Sequence, residues 1–217
     1  MRSNSNNNRA HGMRATICGT LIGLLSVSLL GAKAVAGDAA RGKNKSITCA
    51  ACHGADGNSI NPEWPSLAGQ NENYLIRSLQ SFKDGSRENV LMSPQANMLS
   101  DQDIEDLAAF FATQTPKRRT ADPALVSQGE RLYRGGDGEK GISACMACHG
   151  PNGHGNPGAG YPLLAGQHAT YTTNQLLAYR DDSRRSDMTV NQIMRNISAQ
   201  MSDDQIKAVS SYIQGLQ

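Results

Sequence analysis

A nine-residue motif occurs twice in this 217-residue chain, and it constrains the fold more than any other feature. Residues 49–57 read CAACHGADG, and residues 145–153 read CMACHGPNG. Two cysteines separated by two residues and followed at once by a histidine form the attachment site of a c-type haem. Each thiol adds to a haem vinyl group, and the histidine lies close enough to bind the iron from one face. The repeat therefore predicts two covalently bound haem c groups, one in each half of the chain.

This prediction assigns a role to six residues of the repeated motif. The thiols that form the thioethers are those of Cys49, Cys52, Cys145 and Cys148. The histidines that bind the two irons are His53 and His149. Two other uses of paired cysteines fit less well, because the gap between the pairs is far longer than zinc-ribbon spacing and no strand-rich unit of the thioredoxin kind flanks either pair. Haem attachment is the favoured interpretation, with the binding of another metal as the alternative.

The first 36 residues have the pattern of a secretory signal peptide. Three arginines precede an apolar stretch over residues 15–30, and the sequence AVA at residues 34–36 is a typical cleavage site. The apolar stretch is short and interrupted by glycine and serine, which disfavours a permanent transmembrane helix. We therefore expect export to the periplasm, cleavage after residue 36, and a mature chain that begins at Gly37.

Removal of this leader changes the charge of the chain. The full sequence has 21 basic and 19 acidic residues. The leader contains four basic and no acidic residues, so the mature chain has 17 basic and 19 acidic residues. This slightly acidic balance gives no support to a nucleic-acid-binding function. Four of the five cysteines remain, all within the two motifs, which is consistent with every thiol being used for haem.

Hydrophobic periodicity predicts an all-α fold with a similar order of helices in both halves. The first half has predicted helices at residues 39–48, at residues 72–83 and after Ser100. The second half has predicted helices at residues 125–133 and after Ser202. Each of these two serines begins a sequence that resembles a capping box. No segment has the pattern of a strand.

Two prolines around a basic cluster interrupt the helical pattern at residues 115–123, which read TPKRRTADP. We predict an N-terminal domain at residues 37–115, a solvated linker at residues 116–122, and a C-terminal domain at residues 123–217. Each domain has a size at which a hydrophobic core alone gives marginal stability. A covalently held haem supplies a large apolar plate on which the helices pack, so we expect each domain to be largely unfolded without it.

The repeat also indicates a second axial ligand for each haem. When the last helices are aligned on Ser100 and Ser202, Met92 and Met194 fall in register, each eight residues before the serine. A thioether is a soft, neutral ligand, and ligation by histidine and methionine raises the reduction potential of a haem. We therefore predict that Met92 and Met194 bind the two irons. Three further methionines are assigned to packing, namely Met98, Met188 and Met201.

Pro65 and Pro162 are also in register and are predicted to support the iron-binding histidines. A backbone carbonyl at this position accepts the ring N–H of the histidine and fixes its tautomer. His154 and His168, by contrast, correspond to asparagines in the first half. Neither is needed for a haem site common to both halves, so both are predicted to be surface residues.

Together these elements resemble the cytochrome c4 family. Each CxxCH motif is followed by a proline and a Leu-Ala-Gly-Gln element, at residues 65–70 and 162–167, then by the methionine and an S-D-x-[DQ]-I helix. Cytochromes c4 are dihaem proteins of the bacterial periplasm. The resemblance implies an all-α chain of two tandem class I cytochrome c domains, each packed around a covalently attached haem. One departure is the longer segment that precedes Met194.

The resemblance also implies a function, which is electron transfer in a respiratory chain, commonly to a terminal cytochrome c oxidase. The expected partners are an upstream electron donor and the oxidase, with no small-molecule substrate, no nucleic acid and a possible peripheral association with the membrane. The chain is accordingly expected not to be an enzyme. A dihaem peroxidase would need an open sixth site on one haem, and both methionines argue against it. A non-catalytic subunit docked on a dehydrogenase remains an alternative.

Overall fold

The protein is described by a computed structural model over residues 36–217. Residues 1–35, which hold nearly all of the predicted signal peptide, lie outside the described residues. Within residues 36–217 the regular structure is helical, apart from three isolated antiparallel β-bridges, and the all-α prediction is confirmed. In this part of the chain, no helix combines the length and the hydropathy that a membrane span requires.

The helices of the N-terminal half are α1 Ala39–Lys45, α2 Ala50–His53, α3 Glu72–Lys83, α4 Met92–Asn97 and α5 Asp101–Ala112. A 3-10 turn, Ser46–Thr48, joins α1 to α2. Helix α5 begins after Ser100, whose side chain accepts the N–H of Asp103 in the predicted capping box. Helix α4 is absent from the prediction, because six residues are too few to establish an apolar period.

The C-terminal half repeats this order with α6 Val126–Gly135, α7 Met146–His149, α8 Ala169–Arg180, α9 Ile193–Ser198 and α10 Asp203–Gly215. The last helix begins with the predicted capping box of Ser202 and Gln205. A 3-10 turn, Met188–Val190, precedes α9 and has no counterpart before α4. It belongs to the longer segment that the sequence places before Met194.

The first helix of each half crosses the last helix at a glycine. Helix α1 packs on α5, and α6 packs on α10. A Cβ atom at Gly42 would lie 1.9 Å from the carbonyl oxygen of Asp106, and one at Gly129 would lie 2.3 Å from that of Ala208. The backbones approach so closely that only glycine fits. Each crossing thus brings the first and the last helix of a half into direct contact. The cavity described below lies beside these helix pairs.

Each half has its own hydrophobic core beside the site. The core of the N-terminal half is formed by Leu75, Leu107, Ala108, Phe110 and Phe111. The core of the C-terminal half is formed by Leu132, Tyr133, Ile142, Leu176, Met201, Ile206, Val209, Tyr212, Ile213 and Leu216. The second core is larger because α6 adds Leu132 and Tyr133, and because Ile142, Met201 and Leu216 join it from outside the helices.

Two equivalent glutamines join the halves by reciprocal hydrogen bonds. The Gln70 side chain donates to the carbonyl of Leu163 at 2.9 Å and accepts the N–H of Leu163 at 2.8 Å. The Gln167 side chain donates to the carbonyl of Ser66 at 2.9 Å and accepts the N–H of Ser66 at 3.0 Å. Both glutamines end the Leu-Ala-Gly-Gln element, so this repeated sequence also holds the two halves together.

The interface between the halves corrects one prediction from the sequence and adds a contact from the linker. His168 is 8% exposed and not at the surface, and its Nε2 lies 3.0 Å from the carbonyl oxygen of Ser59. Arg119, in the predicted solvated linker, is half-buried and donates to the Ser59 carbonyl and to the Ser66 hydroxyl. Both positions would face solvent in an isolated domain and become covered when the halves pack. His154 is exposed, as predicted.

Candidate functional site

The ten residues that the sequence assigns to the haem sites all line one cavity of about 590 Å³. They are Cys49, Cys52, His53, Pro65, Met92, Cys145, Cys148, His149, Pro162 and Met194. The cavity extends across both halves, with aliphatic and aromatic side chains from α3, α5, α8 and α10 in its wall. Its volume lies in the range of small-molecule and cofactor sites. The structure therefore brings together residues that are up to 145 positions apart in the sequence.

Glycines of the repeated motif fold it against the segment that follows. Gly54 ends α2 with a φ of 81°, and Gly57 has a φ of 75°, a backbone region that favours glycine. The carbonyl of Gly57 then accepts the N–H groups of Leu67 and Ala68 at 2.6 and 3.1 Å. Gly153 makes the same pair of bonds in the second half. These bonds bring the proline segment beside the histidine of the motif.

Both predicted iron-binding histidines are held by a proline carbonyl. Nδ1 of His53 lies 2.9 Å from the carbonyl oxygen of Pro65, and Nδ1 of His149 lies 3.1 Å from that of Pro162. A carbonyl can only accept, so Nδ1 carries the proton and the lone pair is on Nε2. Burial lowers the pKa of both histidines and outweighs the opposing effect of these hydrogen bonds. Each imidazole is thus neutral at pH 7 and oriented to bind a metal through Nε2.

The four thiols are free in the structure and stand where the haem-bearing protein has thioether sulfurs. Burial raises the pKa of the Cys49 thiol and raises that of the Cys145 thiol to about 11. No group of three or more histidine, cysteine, aspartate and glutamate side chains in residues 36–217 is arranged to hold a metal ion. The alternative of a direct metal site therefore finds no ligand set in the described part of the chain.

Met92 is the first residue of α4 and is positioned by an asparagine cap. The side-chain oxygen of Asn89 accepts the backbone N–H groups of Leu91 and Met92, each at 3.0 Å. The N–H of Asn89 in turn donates to the hydroxyl of Ser93 at 3.1 Å. A neutral, local set of hydrogen bonds thus fixes the start of the helix that carries this methionine.

Met194 is positioned by an ion pair instead. The carboxylate of Asp187 accepts the backbone N–H of Arg195 at 3.0 Å and its side-chain Nε–H at 2.8 Å. The Asp187 side chain is 2% exposed, and Arg195 reaches on to Asp182 at 2.7 Å. The segment between them includes Asn191 with a φ of 57°. The longer segment before Met194 is therefore a clamp, formed by Asp187 and Arg195, on the start of α9.

The assignment of the other three methionines to packing is correct for one of them. Met201 is 4% exposed and lines the cavity. Met98 is 70% exposed and Met188 is 56% exposed, so neither fills a core. Met98 follows the last residue of α4 and Met188 begins a 3-10 turn, and the sequence pattern does not reveal that these positions are exposed.

Two arginines that the sequence prediction leaves out also line the cavity. Arg87 and Arg184 follow α3 and α8, and their backbones pair in an antiparallel bridge between the halves. Their guanidinium groups lie over the rings of Phe82 and Tyr179, each at 4.5 Å from the ring centroid. The sequence could have indicated that these two arginines are equivalent, since residues 81–87 and 178–184 repeat one another and both end in Ser-Arg.

The donor set fits two haem groups. Each half offers two thiols at the attachment spacing, one neutral imidazole with an available Nε2, and one methionine thioether, all lining the same largely apolar cavity. Aromatic side chains lie close by, and the rings of His149 and Tyr161 are 6.2 Å apart between centroids. Such a set would offer one ligand for each face of a haem iron and leave no open coordination position on it.

Comparisons with known proteins find similarity along most of the chain. A family model described as Cytochrome c matches residues 39–115 and 126–217. Cytochrome c4 of Pseudomonas aeruginosa is 49% identical over 193 residues, which are 89% of this chain and 96% of that protein. A thiosulfate dehydrogenase electron acceptor of Thiomonas intermedia is 39% identical in an alignment of 197 positions, which covers 88% of this chain and 89% of that protein. The crystal structure of reduced recombinant cytochrome c4 from Pseudomonas stutzeri is 49% identical and matches with a TM-score of 0.81, covering 84% of this chain and 100% of that chain.

Proposed function

Because the chain belongs to the cytochrome c4 family, with two covalently bound haem c groups, we propose that it is a periplasmic electron carrier of a respiratory chain that supplies a terminal cytochrome c oxidase. The observation that carries this proposal is the single cavity lined by both CxxCH motifs and both methionines. Haem c supplies a one-electron Fe(III)/Fe(II) couple when it is bound.

The axial ligands in this proposal are His53 with Met92 in the N-terminal half and His149 with Met194 in the C-terminal half. The proline carbonyls hold each imidazole in one tautomer and one orientation. Asn89 and the Asp187–Arg195 clamp hold the starts of the two methionine helices. A rigid, closed ligand set suits an electron carrier, because nothing has to enter or leave when the charge of the iron changes.

The same features argue against an enzyme. A peroxidase needs a haem with an open or displaceable sixth site. In the proposed arrangement a methionine fills that site in both halves. The residues around the site exclude water by burial, since His53 is 6% and His149 is 7% exposed. The chain therefore supplies redox partners with electrons and has no small-molecule substrate of its own.

The Thiomonas intermedia relative favours a second candidate for the electron donor. That protein is named as a thiosulfate dehydrogenase electron acceptor and covers most of this chain. A sulfur-oxidising dehydrogenase is thus a candidate donor for this chain, either to a mobile carrier or to a subunit docked on the enzyme. The respiratory carrier remains our first proposal, supported by the higher identity to cytochrome c4 of Pseudomonas aeruginosa.

Stopped-flow oxidation tests the proposed function. The purified, fully reduced protein is mixed with membranes that contain a terminal cytochrome c oxidase in the presence of oxygen. We expect both haems to be oxidised within seconds, at a rate that saturates with protein concentration and is abolished by cyanide. Oxidation by oxygen alone serves as the control and is slow. Turnover of hydrogen peroxide with no oxidase-dependent oxidation would overturn the proposal in favour of a peroxidase.

Export is tested on the same protein in cells. Osmotic shock of a Gram-negative host that matures c-type cytochromes is expected to release a haem-stained protein, and N-terminal sequencing is expected to begin at Gly37. A haem-stained protein that stays in the membrane fraction and keeps residues 1–36 would contradict the proposed location.

A further inference from the structure

His168 is a buried, titratable side chain at the boundary between the halves, and it is not one of the predicted haem-site residues. It does not line the cavity. It immediately precedes α8, is 8% exposed, and lies against the loop of the N-terminal half that contains Ser59. A histidine in such a place can make the packing of two parts of a protein depend on pH.

A donor and an acceptor face the same ring nitrogen of His168. Its Nε2 lies 3.0 Å from the carbonyl oxygen of Ser59 and 3.0 Å from a guanidinium nitrogen of Arg119. The carbonyl can only accept a hydrogen bond, and the guanidinium can only donate one. In a neutral ring with the lone pair on Nε2, this nitrogen accepts an N–H of Arg119, while the same guanidinium also donates to Ser59. The neutral ring therefore fits the packed arrangement of the halves.

Protonation of His168 is incompatible with this arrangement. An imidazolium carries an N–H on both ring nitrogens and cannot accept a hydrogen bond. Nε2 and the Arg119 nitrogen would then be donors on two cations, 3.0 Å apart. Like charges at this distance repel, and the repulsion is stronger where water is excluded. A proton on His168 thus opposes the packing of the halves.

No carboxylate offsets the second positive charge. Among residues 36–217, no ion pair within 4.0 Å includes His168 or Arg119. The carboxylates of Asp56 and Glu63, on the loop around Ser59, accept hydrogen bonds from asparagines instead. The other titratable or charged side chains on the adjoining segments are an exposed pair in the linker and a tyrosine of α8 that accepts from Arg87, namely Lys117, Arg118 and Tyr171.

The equivalent position in the N-terminal half holds a residue that does not titrate. Asn71 immediately precedes α3, as His168 precedes α8, and its side chain also crosses the boundary. It donates to the carbonyl of Tyr161 at 2.7 Å. The two halves therefore use the same position for a contact with each other, and the imidazole of the second half makes its contact sensitive to protons.

We propose that His168 is a pH-sensitive contact between the halves, which joins Arg119 and Ser59 when the ring is neutral and loosens the boundary when the ring is protonated. Burial of the ring lowers the pKa of His168 below its ordinary value near 6.5, with a smaller contribution from Arg119, and both outweigh the hydrogen bond to Ser59. The separated halves therefore bind the proton more readily than the packed halves do. The packed arrangement keeps this stabilisation above about pH 6.5 and loses it progressively as the pH falls below that value.

Hydrogen–deuterium exchange of single amides in the reduced, haem-bearing protein tests this inference. The N–H groups of Ser66 and Leu163 report on the boundary, because each donates to a glutamine of the other half. We expect their protection factors, which are corrected for the intrinsic exchange rate at each pH, to fall at least about threefold between about pH 7.5 and about pH 5. The N–H groups of Ala68 and Ala165 donate within their own halves and are expected to keep their protection.

His168→Asn is the decisive variant, because it introduces the residue of the equivalent position and removes the titrating group. The protection factors of Ser66 and Leu163 in this variant are expected to be the same at both pH values. His154→Asn is the matched control, since His154 is exposed and its counterpart in the N-terminal half is also an asparagine. It is expected to lose protection in acid as the wild type does.

Equal protection at both pH values in the wild type would overturn the inference, and so would an undiminished loss in His168→Asn. A parallel loss at Ala68 and Ala165 would mean that acid unfolds the protein, and would also contradict it. If His168→Asn fails to mature with haem, an NMR titration of the His168 ring in the wild type decides the question. Titration at or above about pH 6.5 would refute the inference, whereas titration below that value, together with the loss at the boundary, would support it.

The outcome is separate from that of the proposed function. Oxidation of the protein by a terminal oxidase, with a boundary insensitive to pH, would retain the carrier function and refute the role of His168. A boundary that opens in acid in a protein that no oxidase oxidises would support the role of His168 and refute the carrier function.

Discussion

Single residues at equivalent positions show where the two halves differ in quality of packing. Ala96 and Ala108 in the first half correspond to Ser198 and Ser210 in the second when the halves are aligned on their methionines and capping serines. Both serine side chains are fully buried, and their hydroxyl groups have no hydrogen-bond partner in the described structure. A buried polar group without a partner costs about 1–3 kcal/mol. The second half therefore carries a local defect that the first half lacks.

We predict that Ser198→Ala raises the free energy of unfolding by about 1 kcal/mol, because it removes a buried hydroxyl without a partner. Chemical denaturation of the haem-bearing protein, followed by circular dichroism, measures this change. Ser202→Ala is the matched control, since the same substitution there removes a helix cap and should lower stability by about 1 kcal/mol. A loss of stability in Ser198→Ala would show that its hydroxyl is satisfied.

At the scale of helices, the two methionine-bearing elements are held by different chemistry. Helix α4 begins at a neutral asparagine cap, whereas α9 begins at the buried clamp of Asp187 and Arg195. The loss of one partner from a buried ion pair costs about 3–5 kcal/mol when the other charge is left uncompensated. The cost is smaller for Asp187, because Arg195 keeps its second partner, Asp182. The position of Met194 should therefore depend on the ion pair of Asp187 and Arg195. The position of Met92 should not depend on any ion pair.

We predict that Asp187→Asn releases Met194 in a fraction of molecules, so that carbon monoxide binds the reduced C-terminal haem. The free energy of unfolding is expected to fall by about 2 kcal/mol, because charged hydrogen bonds to Arg195 are weakened while its pairing with Asp182 remains. Absorption difference spectra and denaturation measure the two effects. Arg185→Gln is the control, because Arg185 is 58% exposed and its pairing with Asp182 is worth less than about 1 kcal/mol. Absence of carbon monoxide binding in Asp187→Asn would refute the clamp.

The helix crossings make a second prediction at this scale. Gly42→Ala and Gly129→Ala each place a Cβ against a backbone carbonyl, so we expect each to lower the free energy of unfolding by about 1–3 kcal/mol. Gly138→Ala is the control, since no atom lies within 4 Å of its added Cβ, and its effect should stay within about 0.5 kcal/mol. Denaturation of all three variants in parallel measures these effects. If Gly42→Ala and Gly129→Ala were as stable as Gly138→Ala, the helices would be able to move apart at these crossings without loss of stability, and the prediction would be wrong.

The helices also show how far the sequence predicts this structure. Helices α5 and α10 are predictable, because each combines a capping box with an apolar stripe, and α3 is predicted with its observed ends. Helices α4 and α9 are too short for a periodic signal. The ten candidate haem-site residues are found from the repeat alone, since motif spacing and register do not depend on tertiary packing. Their roles as ligands stay predictions.

At the scale of the whole molecule, the halves form one unit through contacts that neither half encodes by itself. Arg87, Arg184, Arg119 and His168 take their places only when the halves pack together. The hydrophobic periodicity of a single domain predicts that such residues lie at the surface. The burial of His168 is therefore not predicted from the sequence. Gln70 and Gln167 are the interface residues that the sequence does indicate, because each ends a copy of the repeated Leu-Ala-Gly-Gln element.

We predict that the double variant Gln70→Ala with Gln167→Ala uncouples the halves. It removes four hydrogen bonds between them, worth about 1 kcal/mol each. Calorimetry of the haem-bearing protein is expected to show one transition for the wild type and two for the variant. Gln200→Ala, at an exposed position, is expected to keep the single transition. A single transition in the double variant would mean that other contacts couple the halves.

The closed coordination of both irons is the central claim, and one absorption experiment tests it directly. The spectrum of the reduced, mature protein is recorded before and after the addition of carbon monoxide, and its haem content is measured. We predict two haems per chain and no spectral change, because Met92 and Met194 fill the sixth positions. Carbon monoxide binding at either haem of the wild type would contradict the account, since that iron would be open to a substrate.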